Sequence, residues 1–388
     1  MTSTRNFTAK FWSFFFYLLF FAAAVAVVNY YALFFKDQGL PGSQIGILIG
    51  MASLVRFFAG PLLSGLADSS HHHRLVLSVA IVGNAAAVFL IPFFQTFAGF
   101  LALMITQAFF LGPILPMMDS NTIAMLGDEK EMYGRIRLGG SIGWGVAAIL
   151  IGLIVERFGL RWNFVYYGVV LLIVLMITQR LQFRSVPAIT SIFSSVKDLL
   201  GNRRWIIFLS IMLIAGSGNA VITNYLLVYL QKIGTSPAWM GLALTLSTLA
   251  EAPALFFADR MLRRFGPRGL LTLGLAGLAL RCGLYGLIDV PWAALIVQLM
   301  QFVSFPILLV AGVSYADQHA PTGMAATAQS LFNSAFLGFG SAAGAFLGGV
   351  LIQYVGVQQM FLTFAGTILI VALIFALAGQ AQKSRQPA

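Results

Sequence analysis

The sequence predicts an all-α integral membrane protein, with twelve transmembrane helices in two pseudo-symmetric six-helix halves. Three observations predict it: a composition too apolar for a soluble fold, apolar runs of span length, and a pattern in the first half that returns in the second. Of 388 residues, 59% are hydrophobic and 9% charged, against about 25% charged in soluble domains. Such a chain cannot cover a folded surface with solvated groups, which excludes an ordinary cytosolic enzyme and excludes disorder. The 35 Phe and 39 Gly suit helices that face lipid and pack closely on one another.

A bilayer-crossing helix needs about 20 mostly apolar residues. Such runs occupy 11–35, 43–67, 75–94, 97–126, 136–155, 162–179, 205–231, 235–258, 269–288, 290–316, 321–353 and 357–382. The first lacks any charge and exceeds a signal-peptide core, about 7–15 residues, so it reads as a retained span. Little sequence remains for a soluble domain, and lipid cannot satisfy an open backbone, so the spans are helices. An even number of spans puts both termini on one side. The net charge of +11 then resolves into a topology: only Lys36, Arg157, Arg161 and Lys232 fall in loops on the opposite side. The positive-inside rule places both termini in the cytoplasm of a bacterial-type inner membrane. The basic excess serves orientation and anionic headgroups, so no nucleic-acid partner is implied. The single Cys282 excludes a disulfide framework and a Cys-based metal site.

The longest loop divides the chain into 1–180, a cytoplasmic linker 181–204, and 205–388. Leu66-Ala67-Asp68 follows the second span, and Phe257-Ala258-Asp259 follows the eighth, leading into Arg260, Arg263, Arg264, Gly266 and Arg268. Gly143, Gly159 and Phe164 likewise return as Gly340, Gly356 and Phe361. The Asp259-to-Arg268 loop resembles the cytoplasmic signature of the major facilitator superfamily. The resemblance covers the whole chain and implies that Asp68, Asp259, Arg260, Arg264 and Gly266 act as conformational-switch loops. The first copy departs from the pattern: Ser64 stands at the usual glycine, and Ser69, Ser70 and His71 to His73 replace most of the basic run. Three adjacent histidines raise the question of a metal; the reading adopted is a solvated loop. Parallel six-span repeats imply a binding site near the membrane midplane, with access alternating as the halves rock.

Five ionisable side chains lie inside spans: Arg56, Asp119, Arg137, Glu251 and Arg281. Each costs about 2.5–3.5 kcal/mol at a helix centre, so each is expected to face a partner or a water-filled cavity. Arg56 lies twelve residues before Asp68, about 18 Å at helical rise and near the middle of a hydrocarbon core about 30 Å thick. Asp119 and Arg137 sit on consecutive spans joined by a charged turn, which can bring them face to face. Trp144 follows Arg137 by seven residues, on the same helical face. The alternatives are a salt bridge that only pins two helices, and a tryptophan that only packs.

The run from Tyr133 to Trp144 resembles the fifth helix of the oligosaccharide–proton symporters of the lactose-permease type; phenylpropionate permeases share much of it. The resemblance implies that Asp119 and Arg137 hold solute hydroxyls while the Trp144 indole stacks on a ring. It also aligns Arg281 with a ninth-helix arginine used in proton coupling. The ionisable tenth-helix residues of that branch correspond here to Gln298, Gln301 and Ser304, which carry no proton. Glu251, beside Pro253, falls about one turn from the branch's eighth-helix glutamate. The expected proton-coupling residues are therefore Glu251, Arg281 and Asp119. The expected solute-binding residues are Asp119, Arg137, Trp144, Asn29, Tyr30, Arg56 and Gln301.

No nucleotide-binding motif is present, so the energy source is a gradient. The expected function is uptake of a small polar organic solute with protons. The alternative is a proton-driven efflux antiporter of the same fold, although the fifth span lacks the Gly-Pro kink usual in exporters. A sugar is favoured by Asp119, Arg137 and Trp144. A nucleoside or aromatic carboxylate is favoured by the surplus arginine, three against two acids, together with the missing tenth-helix ionisable triad. The expected partners are the solute, protons and the lipid bilayer, with no cofactor, no metal, no enzymatic activity and a monomeric state.

Overall fold

The structure, a computed structural model, describes residues 2–127, 129–181, 183, 199, 201–321 and 324–383. Most of the predicted linker, together with Asp128 and Arg385, lies outside the described residues. Among the described residues the chain is helical, without strands. Twelve helices have the length and composition of membrane spans: α1 Ala9–Asp37, α2 Gly42–Ser70, α3 His73–Phe93, α4 Phe97–Leu126, α5 Tyr133–Phe158, α6 Arg161–Arg180, α7 Arg203–Lys232, α8 Pro237–Phe256, α9 Ala258–Leu287, α10 Pro291–His319, α11 Thr327–Val355 and α12 Val357–Leu377. Predicted and observed spans agree in number. At α9 the range includes a short basic helix before the span: Gly266, with φ 66° and ψ 165°, breaks the helix, and the stretch after it starts beside the predicted 269.

The chain forms two compact units. Unit 1 comprises Met1–Leu40, Leu48–Thr190 and Ser236–Thr245; unit 2 comprises Pro41–Ile47, Ser191–Thr235 and Leu246–Ala388. In unit 1, α1 lies directly on the glycine face of α5. A Cβ on Gly139 would meet the Phe14 carbonyl, and one on Gly143 would overlap that of Leu18. Asn84 of α3 joins three helices: its amide donates to the Gln107 carbonyl of α4 at 2.9 Å, and its Oδ1 accepts from the Tyr167 hydroxyl of α6. The first turns of α8 belong to this unit through Glu156, which accepts from Ser236 Oγ at 3.0 Å and from the Ala238 amide at 2.9 Å.

Unit 2 repeats the arrangement. Its α7 packs on α11 where Gly340 and Gly344 meet the carbonyls of Leu213 and Ser217. The Tyr225 hydroxyl donates to the Ala345 carbonyl at 2.6 Å. The start of α2 belongs here: the Ser43 amide donates to Gln353 at 3.0 Å. The repeat extends to backbone angles. Gly159 and Gly356 end α5 and α11 with φ of +90° and +82°, a left-handed cap that glycine adopts without steric cost. After α2, the non-glycine His71 has φ of +57°, near the +66° of Gly266.

Several spans are interrupted. The helix of α1 stops at Val28 and resumes at Tyr31, and that of α4 stops at Leu111 and resumes at Ile114. Pro113 explains the second, because it lacks the N–H that would continue the ladder. In α10 the chain passes through a 3₁₀ stretch, Leu299–Val303, into Ser304 with φ −112° and ψ −99°, just before Pro306. In α11 a π segment covers Ser334–Phe339.

Close α1–α5 packing predicts a contrast between two glycines of one helix. Gly143→Leu places side-chain atoms in the Leu18 backbone and is expected to destabilise by about 1–3 kcal/mol or more. Gly134 has nothing within 4 Å of an added Cβ, so Gly134→Ala is expected to be neutral or to gain about 0.5–1 kcal/mol. Thermal unfolding of the detergent-purified variants checks both.

Candidate functional site

Each unit holds a cluster of charged and polar side chains at membrane depth. In unit 1 the α4 break is followed by one continuous helix that carries Asp119, and α5 carries Arg137. Arg137 Nη1 donates to both carboxylate oxygens of Asp119, at 2.7 and 2.6 Å, and to the Tyr133 hydroxyl one turn earlier at 2.9 Å. The Tyr17 hydroxyl of α1 donates to Asp119 Oδ1 at 2.7 Å. The rings of Tyr17, Phe21 and Tyr133 surround the guanidinium, with centroids 5.9–6.0 Å from Cζ, close enough for cation–π attraction. Trp144 extends this wall, its ring 6.5 Å from Phe21.

The Asp119–Arg137 pair is not sealed. Its side chains remain 28% and 38% exposed, and among the described residues Arg137 Nη2 and Nε make no hydrogen bond. A pair that only pinned helices would bury its remaining donors or satisfy them, because each unsatisfied buried polar group costs about 1–3 kcal/mol. Here two guanidinium donors, a carboxylate and aromatic faces share one accessible surface. That combination can hold the hydroxyls and the ring of a solute.

Unit 2 uses a different solution. Arg281 of α9 is 2% exposed and has no carboxylate within ion-pair distance among the described residues. Neutral acceptors satisfy it: Gln298 Oε1 at 2.9 Å, Ser304 Oγ at 3.4 Å, the Tyr285 hydroxyl at 3.4 Å, and Gln301 Oε1. Gln301 and Ser304 come from the irregular part of α10, and Gln298 ends the regular helix before it. Gln301 Nε2 then donates to Glu251 Oε1 of α8 at 2.5 Å. Glu251 and Arg281 are therefore linked through one amide and are not a direct ion pair.

The other expected residues are more dispersed. Asn29 and Tyr30 lie at the α1 break, 3% and 1% exposed; Asn29 Nδ2 and the Tyr30 hydroxyl have no hydrogen-bond partner. Arg56 is accessible on α2 and is joined to neither cluster. Asp68 lies 3.6 Å from His73 Nδ1. Asp259, Arg260 and Arg264 are exposed at the start of α9, with Arg264 over the Phe265 ring at 5.4 Å. Sequence reasoning missed Tyr17, Tyr133 and Tyr285. The last two stand one helical turn from their arginines, a spacing that can be read from sequence. Tyr17 comes from another helix and leaves no such signal.

Twelve spans in two repeated units, with charged clusters inside, define a membrane transporter with a small-molecule substrate. The chain belongs to the MFS_1 like family of the major facilitator superfamily, whose model matches residues 11–363. It is 24% identical over 330 residues to the uncharacterized transporter YwbF of Bacillus subtilis (strain 168), covering 85% of this chain and 83% of that one. It is 23% identical over 350 residues to maltose permease of Geobacillus stearothermophilus, covering 90% and 89%. The crystal structure of nucleoside transporter NupG superposes with a TM-score of 0.84 at 18% identity, over 96% of this chain and 98% of that one. These relatives are transporters, not enzymes.

The amide link in unit 2 generates a prediction. Gln301→Leu removes an acceptor from the buried Arg281 and the donor to Glu251, and is expected to cost about 1–3 kcal/mol. The unfolding temperature of the purified variant measures it, with the exposed Gln359→Leu as control.

Proposed function

We propose that the protein is a proton-coupled symporter that takes up a small polar organic solute by alternating access. The observation that carries this reading is the state of Glu251. It is a carboxyl at membrane depth whose described hydrogen-bond partner is the Gln301 amide. Protonating it breaks no direct salt bridge, and the arginine behind the amide keeps its neutral acceptors. Such a group can load and release a proton within the transport cycle. Arg281 biases it electrostatically from beyond Gln301, and Asp119 is the second proton-coupling residue in this reading.

The solute binds at the unit 1 cluster. Asp119 and the free donors of Arg137 hold hydroxyls, and Trp144 offers its ring. Asn29 and Tyr30, with unpartnered polar atoms, add hydroxyl recognition, and Gln301 and Arg56 complete the binding set. A sugar, a nucleoside or an aromatic carboxylate suits these groups. Maltose permease and the nucleoside transporter fold support the first two, and the likeness of the Tyr133–Trp144 run to phenylpropionate permeases supports the third. The protein works as a monomer in a bacterial-type inner membrane with both termini in the cytoplasm. Its halves are 1–180 and 205–388, and the loops of Asp68, Asp259, Arg260, Arg264 and Gly266 hold the alternate states.

Uptake into proteoliposomes of labelled maltose, uridine and 3-phenylpropionate, with and without an imposed pH gradient, tests the reading. Glu251→Gln is expected to abolish uphill accumulation and preserve counterflow; unchanged pH-driven accumulation would sink the coupling role. Asp119→Asn and Arg137→Lys are expected to lower uptake at least tenfold. Their stability should change by less than about 1 kcal/mol, the worth of a partly exposed pair. A large loss of stability with normal uptake would mean that the pair only pins helices. Solute export driven by inward proton flow would identify an antiporter instead.

A further inference from the structure

The ionisable side chains at membrane depth have partners, with the exception of Arg56. Asp119 and Arg137 hold each other, Arg281 has four neutral acceptors, and Glu251 has Gln301. Arg56, among the described residues, makes no hydrogen bond, ion pair or ring contact. Its side chain is nevertheless accessible.

Three features of α2 and its neighbour say what that accessible charge faces. Arg56 shares a helical face with Ile45, Ile49 and Ala52, which are 4%, 6% and 8% exposed. The opposite face carries Ile47 and Phe58, 37% and 61% exposed, and suits lipid. The guanidinium is thus on the side of the helix that turns toward protein. Its side chain keeps an accessible surface there, although its helix neighbours on that face are buried. An accessible charge on the protein-facing side of a span belongs to the wall of a hydrated recess, where it avoids the cost of hydrocarbon.

The third feature is the distance to the acid on α4. At Gly112, beside the α4 break, an added Cβ would meet the Arg56 carbonyl at 2.9 Å, so the two helices touch at this level. Asp119 lies seven residues further along, about 10 Å at helical rise. An arginine side chain in a helix leans toward the helix N-terminus, away from Asp119, whose two oxygens already accept from Arg137. Among the described residues, no acid lies within ion-pair distance of Arg56.

Resting on the transport reading above, we propose that Arg56 is the anion-recognition residue of the solute site, and that the natural solute is a small organic monoanion, a carboxylate. One guanidinium without a protein partner calls for one carboxylate. A neutral solute leaves Arg56 unpaired in the closed protein. A guanidinium presents a planar fork that matches a carboxylate in two parallel hydrogen bonds.

The test uses matched pairs that differ chiefly in the carboxylate: glucuronate against glucose, and phenylacetate against phenylacetamide. Uptake by proteoliposomes and ligand-induced shifts in unfolding temperature are measured for wild type, Arg56→Lys and Arg56→Gln. Wild type is expected to favour the charged member of at least one pair by tenfold or more. Arg56→Gln should bring that ratio near one, and Arg56→Lys should retain most of it. Transport of the neutral members alone, or a charge preference untouched by Arg56→Gln, overturns the assignment to Arg56 and leaves the transport reading standing. Uptake and binding of none of the four by a wild type that transports maltose or uridine overturns the anion assignment alone; a folded wild type that transports neither these nor the four, under either gradient direction, overturns both.

Discussion

An ionised group in hydrocarbon must find a partner or water, and this constraint organises the interior of the protein. A helix satisfies its own backbone, so the spans form almost irrespective of side-chain identity. The side chains that remain expensive are few and are therefore informative. Unit 1 answers the constraint with opposite charges, Asp119 and Arg137, and lines them with Tyr17, Phe21 and Tyr133. Unit 2 answers it with neutral dipoles, placing two glutamines, a serine and a tyrosine around Arg281. The first arrangement stays accessible at 28% and 38%, while the second seals its arginine at 2%.

The difference has chemical consequences. A guanidinium with unused donors and surrounding aromatic faces can exchange its remaining bonds with a solute. One whose acceptors are all protein groups is a fixed positive charge, able to bias its neighbours without moving. The internal repeat shows that scaffold and chemistry are separable on this point. The glycine seams of α1 on α5 and of α7 on α11 correspond, as do the left-handed caps at Gly159 and Gly356. Those features depend on the space between helices and on backbone angles, which any transporter built from this repeat must preserve. The clusters occupy different helices in the two units, α4 and α5 in one, α8 to α10 in the other.

Much of this was legible in the sequence where the signal is local or compositional. The twelve spans follow from hydropathy over about 20 residues, and the half-repeat from glycine, aspartate and phenylalanine spacing. The meeting of Asp119 and Arg137 could be foreseen because one short turn connects their helices. Tyr17 could not, since its place beside Asp119 depends on how α1 crosses α4 and α5, more than a hundred residues away in the chain. The Gln301 link was hidden for another reason. An amide carries no charge, so it gives no signal of cost within a span, and its donor and acceptor ends acquire meaning only when a carboxylate and a guanidinium lie on either side. At α9 the boundary was legible as Gly266-Pro267, where φ 66° and ψ 165° interrupt the helix just before the apolar run.

The interruptions within the spans connect these observations. A straight helix turns its carbonyls and amides onto itself and presents only side chains. At Asn29–Tyr30, at Gly112–Pro113 and at Ser304 the ladder is broken, and each break lies next to polar groups that the clusters or their surroundings use. Ser304 shows the mechanism most plainly: its own φ and ψ leave the helical region, its hydroxyl accepts from Arg281, and the glutamines beside it turn toward the same guanidinium. A regular α10 would turn residues 298, 301 and 304 away from one another by about 60° at each step. The 3₁₀ stretch before Ser304 has about three residues per turn, so it brings residues three apart onto one face, toward Arg281. The irregular backbone is thus what lets neutral side chains solvate a buried arginine where water is scarce.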